Sequence, residues 1–356
     1  MDFIFSILGT IVEQFQKPTL AFLIGGMMLA AMGSKFEVPE PVYKFIVILL
    51  LLKVGIGAGL SVKEANFVEL IVPAIGAALV GIAIVFLGRW TLARWKGVSK
   101  IDGLATAGLF GAVSASTLAA GMAILDDEQI PYEGFIGALY PFMDIAALVT
   151  AIVMAKMSAA RRTAVMPVGA STMALGGVPQ KQVTEEHGIE QGLLRGILVD
   201  TVRSPAISAL LLGLALGLFA NPESVYKSFY EPLFRGLLSV LMLIMGMEAW
   251  MRFAELRKVA HAYIFYGVAA PLVHGFLGFG AGYLAYQLTG FSAGGVVLLA
   301  VMAASSSDIS GPPTMRGALP EANPSAYVGT STGIGTPVAI LSIPLFIALA
   351  DMLIGW

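Results

Sequence analysis

Apolar stretches close to or longer than the roughly 20 residues that carry a helix across a bilayer recur along the whole chain. They fall at about 19–33, 41–60, 67–88, 102–123, 134–156, 193–219, 235–251, 260–287, 293–318 and 326–351. Lipid offers no hydrogen-bond partner to a backbone N–H or C=O, so stretches of this kind are expected to be helices. The first is short and the ninth is interrupted. Within the ninth, "VMAASSSDISGPPTMRG" (301–317) sets an acid, four serines and two adjacent prolines where a spanning helix should run.

Composition agrees with a lipid-embedded chain. Its 356 residues are 57% hydrophobic and only 12% charged, too apolar for a soluble domain. The net charge of -2, with no concentrated basic patch, excludes nucleic acid as a partner. Without cysteine there is no disulfide, thiolate metal site or cysteine nucleophile, and His187, His261 and His274 lack metal-ligand spacing. No Walker motif is present, which argues against built-in ATP hydrolysis.

The ten stretches predict an all-α integral membrane protein. Residues 1–16 place Phe3, Ile4, Ile7, Leu8, Ile11, Val12 and Phe15 on one face and read as a helix lying in the membrane interface. With the N-terminus outside, fifteen of the 21 Lys and Arg residues fall on inner loops. Lys17, Lys63, Lys227 and Arg235 fall outside, and Lys53 and Arg203 lie within spans. That asymmetry puts the loop 157–192 in the cytosol and both termini on the extracytoplasmic side.

The same loop divides the chain into five spans at 17–156 and five at 193–356. With an odd number of spans in each half, a second half that repeats the first must be inserted upside down. "GLFGAVSASTLAAGMAIL" in the fourth span holds the ordinal place of "VMAASSSDISGPPTMRGAL" in the ninth, and "GALYPFMDIAALVTAI" in the fifth that of "GTSTGIGTPVAILSI" in the tenth.

Pro312 and Pro313 lack the amide a helix interior needs but suit a first turn, so Ser310 or Gly311 is expected to be the N-cap of a second half-helix. Ser114, Ser116 and Thr117, between Gly111 and Gly121, mark a softer break in the fourth span. A helix that stops at mid-depth presents unpaired carbonyls, and the half-helix that follows presents unpaired amides and a positive dipole end. One break therefore offers a cation seat beside an anion seat, and hydroxyls serve either.

Asp308 adds formal charge for a hard cation, although the same carboxylate could simply cap Gly311 and its neighbours. The serines would also permit close helix packing. Asp144, in "YPFMDIAAL", lines the site or anchors a neighbouring helix, and "STGIGTPVA" in the tenth span can expose further carbonyls. Structural roles are expected for Lys53, Arg203 and Glu248, with Lys53 and Glu248 pairing or facing an aqueous vestibule. His274 is read as a satisfied core histidine and Asp102 as an N-cap. The Gly-rich faces "GIGAG" (55–59) and "GFGAG" (278–282) are read as close helix contacts.

"GGVVLLAVMAASSSDISGPPTMR", "ANPSAYVGTSTGIGTPVAI", "NPESVYKSFYEPLFRGLLSVLMLIMGMEAW", "GLFGAVSAST" and "GALYPFMDI" together resemble the cyanobacterial high-affinity sodium-dependent bicarbonate transporters over nearly the full chain. The resemblance implies a sodium and bicarbonate symporter of the inner membrane that serves inorganic carbon concentration. It implies two inverted five-helix repeats with crossed, discontinuous fourth and ninth helices, similar to bile-acid symporters and sodium/proton antiporters. It also implies a homotrimer embedded in membrane lipid, with a PII-like regulatory protein docking on the cytosolic face.

On that reading Gly111, Ser114, Ala115, Ser116, Thr117, Ser305, Ser306 and Ser307 hold bicarbonate. Sodium, the coupling ion, is held by Asp308 and Ser310, with Asp144 and Thr336 as further ligands. Three rivals stand beside it. A symporter for another small anion or organic acid would use the same seats, and a passive channel is opposed by the interrupted helices. Asp144 and Asp308 could also form the dyad of an intramembrane aspartyl protease, though "PFMD" and "SSSD" do not match the sequence contexts of such enzymes.

Overall fold

A computed structural model describes residues 18–63, 67–165, 195–196, 199, 202–256 and 261–356. The expected interfacial helix at 1–16 and most of the loop 157–192 lie outside the described residues. Every regular element among the described residues is helical. In chain order the main α-helices among the described residues are α1 (Pro18–Ala31), α2 (Glu40–Val62), α3 (Phe67–Trp90), α4 (Lys100–Gly111), α5 (Ala115–Asp127), α6 (Tyr140–Val165) and α7 (Pro205–Phe219). They continue as α8 (Glu231–Leu256), α9 (His261–Thr289), α10 (Ala293–Ala304), α11 (Gly311–Ala318), α12 (Pro324–Thr330), α13 (Thr336–Leu341) and α14 (Ile343–Leu353).

Seven helical stretches among the described residues are long and apolar enough to cross a membrane, and they correspond to the second, third, fourth, fifth, seventh, eighth and tenth expected spans. The other three apolar helices, α1, α7 and α10, are shorter. The tenth span is not one regular helix: a π-helical turn, Ser331–Gly335, separates α12 from α13. Such turns widen a helix locally and occur often at functional sites.

Small residues set how closely the helices approach. On α2, Gly55 and Gly59 face Gly213 and Gly217 of α7, and a Cβ on Gly59 would lie 2.8 Å from the Cα of Gly217. Gly26 of α1 and Gly246 of α8 sit against backbone carbonyls of the opposing helix, Leu243 and Leu23 respectively. Gly278 and Gly282 of α9 abut α10, where a Cβ on Gly282 would lie 2.9 Å from the Cα of Val296. Lipid gives no hydrophobic drive for helix association, so backbone contact of this kind must supply the dispersion energy. The "GIGAG" and "GFGAG" faces have the packing role read from sequence.

These packed helices surround the interrupted ones. The membrane-length part of α4 and α5 is buried throughout, and α10 is buried from Gly294 to Ala304. Broken backbone is tolerated at membrane depth only when protein or water shields it, and here protein does. Lys53 neutralises part of its burial by lying over the ring of Phe234, 4.2 Å from its centroid.

Candidate functional site

The fourth span breaks between Gly111 and Ala115 without any proline. Ala112 is extended (φ -91°, ψ 157°), as is Ser114 (φ -90°, ψ 124°). The Ser114 hydroxyl oxygen accepts the amide of Thr117 at 3.2 Å, a side-chain N-cap that starts α5. In the ninth span α10 ends at Ala304, Ser305 is extended, and α11 restarts at Gly311 with Pro312 and Pro313 in its first turn. First-turn amides have no partner within the helix, so two prolines there sacrifice no hydrogen bond.

Ser310 holds the N-cap position of α11, as expected, but does not supply the capping bond. Ser310 has helical backbone angles (φ -79°, ψ -41°) and makes no side-chain cap. Ser307 does the capping: its Oγ accepts the Gly311 amide at 2.8 Å. Ser310 is drawn away because its hydroxyl donates to both carboxylate oxygens of Asp144, at 3.3 and 3.2 Å. With that proton committed, the 2.9 Å contact between Ser307 and Ser310 has Ser307 as donor. Asp102 is not an N-cap; Ser99 occupies that position, and Asp102 Oδ1 accepts the backbone amide of Asn323 at 2.8 Å.

The two breaks satisfy one another. Ser114 N donates to Ser305 Oγ at 2.9 Å, and Ser307 N donates to the carbonyl of Leu109 at 2.8 Å. Orphan backbone groups of one interrupted helix are thus met by the other, as buried N–H and C=O groups require. The π turn of the tenth span joins them: Ser306 Oγ donates to the Ser331 carbonyl at 3.0 Å and Ser331 Oγ to the Ser307 carbonyl at 3.0 Å. Thr336 Oγ1 donates to the Ser306 carbonyl at 3.2 Å.

The two acids differ in their surroundings. Asp144, fully buried, accepts from Val113 N at 3.1 Å and from Ser310, so both of its oxygens are engaged by groups of the two breaks. Asp308 accepts Ser116 Oγ on Oδ2, at 2.7 Å, while its buried Oδ1 finds no hydrogen-bond partner among the described residues. Thr117 Oγ1 and Thr332 Oγ1 are also buried without partners among the described residues. A buried acceptor left unmet costs about 1–3 kcal/mol, and an ion is one of the standard explanations for it. A carboxylate and two hydroxyl oxygens are the ligand chemistry of a hard cation.

All the residues expected from sequence to form the site belong to this junction except Gly111. A Cβ at Gly111 would meet Ala147 Cβ and Gly81 O, each at 2.8 Å, so its missing side chain serves the packing of α3 and α6. Tyr140, whose hydroxyl lies 3.4 Å from Ser310 Oγ, and Thr332 were not expected. Tyr140 opens "YPFMDIAAL", the stretch that carries Asp144, and Thr332 lies beside the glycines of "STGIGTPVA", so the relevant signals are adjacent in sequence. Among the described residues, no three His, Asp or Glu side chains gather into a metal cluster.

His274 is buried as expected but not satisfied. Its ring meets Phe110 and Tyr266 edge-on, at centroid distances of 6.2 and 6.1 Å, while His274 Nδ1 and Tyr266 OH find no partners among the described residues. Phe110 connects this cluster to the junction, because a Cβ on Gly335 would meet both the Phe110 ring (2.6 Å) and Ser306 Oγ (2.8 Å).

Asp144 and Asp308 accept from different hydroxyls, and no hydrogen bond joins the two carboxylates among the described residues. In comparisons with known proteins, a family model described as the Na+-dependent bicarbonate transporter superfamily matches residues 18–351. No curated protein matches the chain.

Proposed function

The chain belongs to the Na+-dependent bicarbonate transporter superfamily, a family of transporters and not of enzymes, and on that premise we propose that it imports bicarbonate by sodium symport with alternating access. The observation that carries the proposal is Asp308 Oδ1, a buried carboxylate oxygen that, like Thr117 Oγ1 and Thr332 Oγ1, has no hydrogen-bond partner among the described residues. Sodium there would complete the coordination, with Thr117 Oγ1 and Thr332 Oγ1 as hydroxyl ligands. Asp144 and Ser310 act as the frame that holds the breaks together, and Thr336 ties the tenth span to Ser306.

Bicarbonate is assigned to the positive end of α5, where the first-turn amides of Ala115 and Ser116 have no partner within the helix. Ser305, Ser306 and Ser307 line the facing break. Carrying one bicarbonate into a negative interior costs about 2.3 kcal/mol per 100 mV, and one accompanying sodium cancels that penalty.

The architecture proposed is ten spans in two inverted repeats, residues 17–156 and 193–356, with the fourth, fifth, ninth and tenth spans moving against the rest. Matched contacts support it. Exchanging the halves turns the packing of the second span on the sixth (α2 on α7) into that of the seventh on the first (α8 on α1), and both approaches rest on glycine. Orientation with both termini outside the cytoplasm, a homotrimeric assembly and a PII-like regulator on the cytosolic face belong to the same proposal, supported by the charge asymmetry and by the family resemblance.

Uptake of labelled bicarbonate into proteoliposomes, with the sodium gradient and the membrane potential varied separately, tests the function. One-to-one symport predicts uptake driven by the sodium gradient and insensitive to potential. Competition with acetate, formate and sulfate separates bicarbonate from a general anion carrier; equal competition by all three would replace bicarbonate as the substrate.

A further inference from the structure

Two carboxylates outside the junction make the same kind of contact, each accepting the backbone amide of another helix's N-cap residue. In a capping box, the side chain at N3 of a helix reaches back to the amide of its own N-cap residue. Helix α10 has Ser292 as its N-cap and Gly295 at N3, so it has no acid of its own. Glu133, in the loop before the fifth span, supplies one: Ser292 N donates to Glu133 Oε1 at 2.6 Å and Ser292 Oγ donates to Oε2 at 2.8 Å. Ser292 Oγ meanwhile accepts the Gly295 amide at 2.9 Å. A Cβ at Gly295 would collide with Glu133 Oε2, so the position that would carry a helix's own acid is kept empty for a borrowed one.

Helix α12 repeats the arrangement. Its N-cap Asn323 accepts the Ser325 amide at 3.1 Å, its N3 residue is Ala326, and the Asn323 amide donates to Asp102 Oδ1 at 2.8 Å. Asp102 is the N3 residue of α4, free to serve another helix because the Ser99 cap lies in front of it. The fourth span therefore caps the tenth, and the segment leading into the fifth caps the ninth. Exchanging the halves converts one pair of helix starts into the other, with the acid and the capped residue trading places.

An interrupted helix has no continuous hydrogen-bond ladder to keep its two parts in line. At the breaks the fourth and ninth spans hold each other through Ser114–Ser305 and Leu109–Ser307. We propose that the Glu133–Ser292 and Asp102–Asn323 contacts are paired clamps that fix the far ends of α10 and α4, making the fourth, fifth, ninth and tenth spans one rigid transport body. Asp102 and Glu133 are positioning residues: they keep the sodium and bicarbonate seats in register while the body moves.

Toward the seventh span the body makes a different kind of contact. Asp127, at the end of α5, pairs with Arg235 of α8 at 2.7 Å, and the arginine side chain is 65% exposed. An exposed ion pair contributes little to stability and can open and close. In the same loop Tyr132 donates to Asp126 at 2.8 Å, and burial together with the Asp126 charge pushes its phenol pKa up, so it remains a donor.

The clamp proposal rests on the transport reading above, and the native absence of cysteine permits a direct test. Three double variants are reconstituted: Glu133→Cys with Ser292→Cys, Asp102→Cys with Asn323→Cys, and Asp127→Cys with Arg235→Cys. Before cross-linking, each clamp pair is expected to take up bicarbonate several-fold more slowly than wild type, with fewer bicarbonate ions per sodium. A short bis-maleimide should restore rate and coupling in both clamp pairs and stop uptake in the Asp127/Arg235 pair. Glu133→Gln, which keeps one acceptor oxygen, should fall between wild type and the unlinked pair and guards against a folding defect. Unlinked clamp pairs that couple normally, or linked ones that stay impaired, would overturn the clamp. Absence of sodium-dependent uptake by the wild type would instead defeat the transport reading.

Discussion

Ser116, in the first turn of α5, donates its hydroxyl to Asp308 Oδ2 at 2.7 Å, joining the fourth and ninth spans through a side chain that leaves the other carboxylate oxygen open. Hydrogen bonds to charged groups contribute about 1.5–3 kcal/mol, and 1.4 kcal/mol is tenfold in an equilibrium constant. Ser116→Ala is therefore expected to raise the sodium concentration for half-maximal uptake by about tenfold or more. Sodium titration of labelled bicarbonate uptake checks it.

Asp144 should behave differently from Asp308. Because its oxygens serve Val113 N and Ser310 Oγ, Asp144→Ala leaves buried donors of both breaks unmet and should destabilise by about 2–4 kcal/mol. Asp144→Asn keeps one acceptor and should lose less. Thermal unfolding in detergent distinguishes them, with the sodium response of the asparagine variant retained.

Tyr266 carries a buried hydroxyl without a partner among the described residues, beside the equally unmet His274 Nδ1. Removing a buried, unpaired polar group relieves its desolvation cost. Tyr266→Phe is expected to raise the unfolding midpoint rather than lower it. A fall in the midpoint would show that the hydroxyl is hydrogen-bonded.

Gly335 separates Phe110 from Ser306, and an added methyl would press on both at 2.6–2.8 Å. Gly335→Ala should cut uptake by an order of magnitude or more through displacement of Ser306. Gly280, with nothing within 4 Å of its missing Cβ, is the matched control. Gly280→Ala should leave transport unchanged and stabilise by up to about 1 kcal/mol, the helix preference of alanine over glycine.

The helical class and the ninth-span break were legible because they rest on local chemistry: long apolar runs, and Pro312–Pro313 behind four hydroxyls. The fourth-span break showed only as a hydroxyl run, and its location at Ala112–Ser114 depends on Ser305 reaching Ser114 N from the other half of the chain. The same limit applies to the capping of α11. Ser310 holds the N-cap position, but Asp144, 166 positions away, competes for its hydroxyl and leaves the capping bond to Ser307. Asp102 looked like a cap for its own helix because its acceptor role belongs to Asn323, 221 positions on. Unmet atoms such as Thr332 Oγ1 have no sequence signature at all, since being unpaired is a property of the packing around them.

The central claim is that the open oxygen of Asp308 seats the sodium that brings bicarbonate in. Paired fluxes of labelled sodium and labelled bicarbonate, measured in proteoliposomes carrying either wild type or Asp308→Asn at matched protein content, address it most directly. The prediction is that wild type moves both ions in fixed proportion under a sodium gradient and that the variant, still folded, moves neither. Bicarbonate uptake by Asp308→Asn at the wild-type rate and with the wild-type sodium dependence would contradict it.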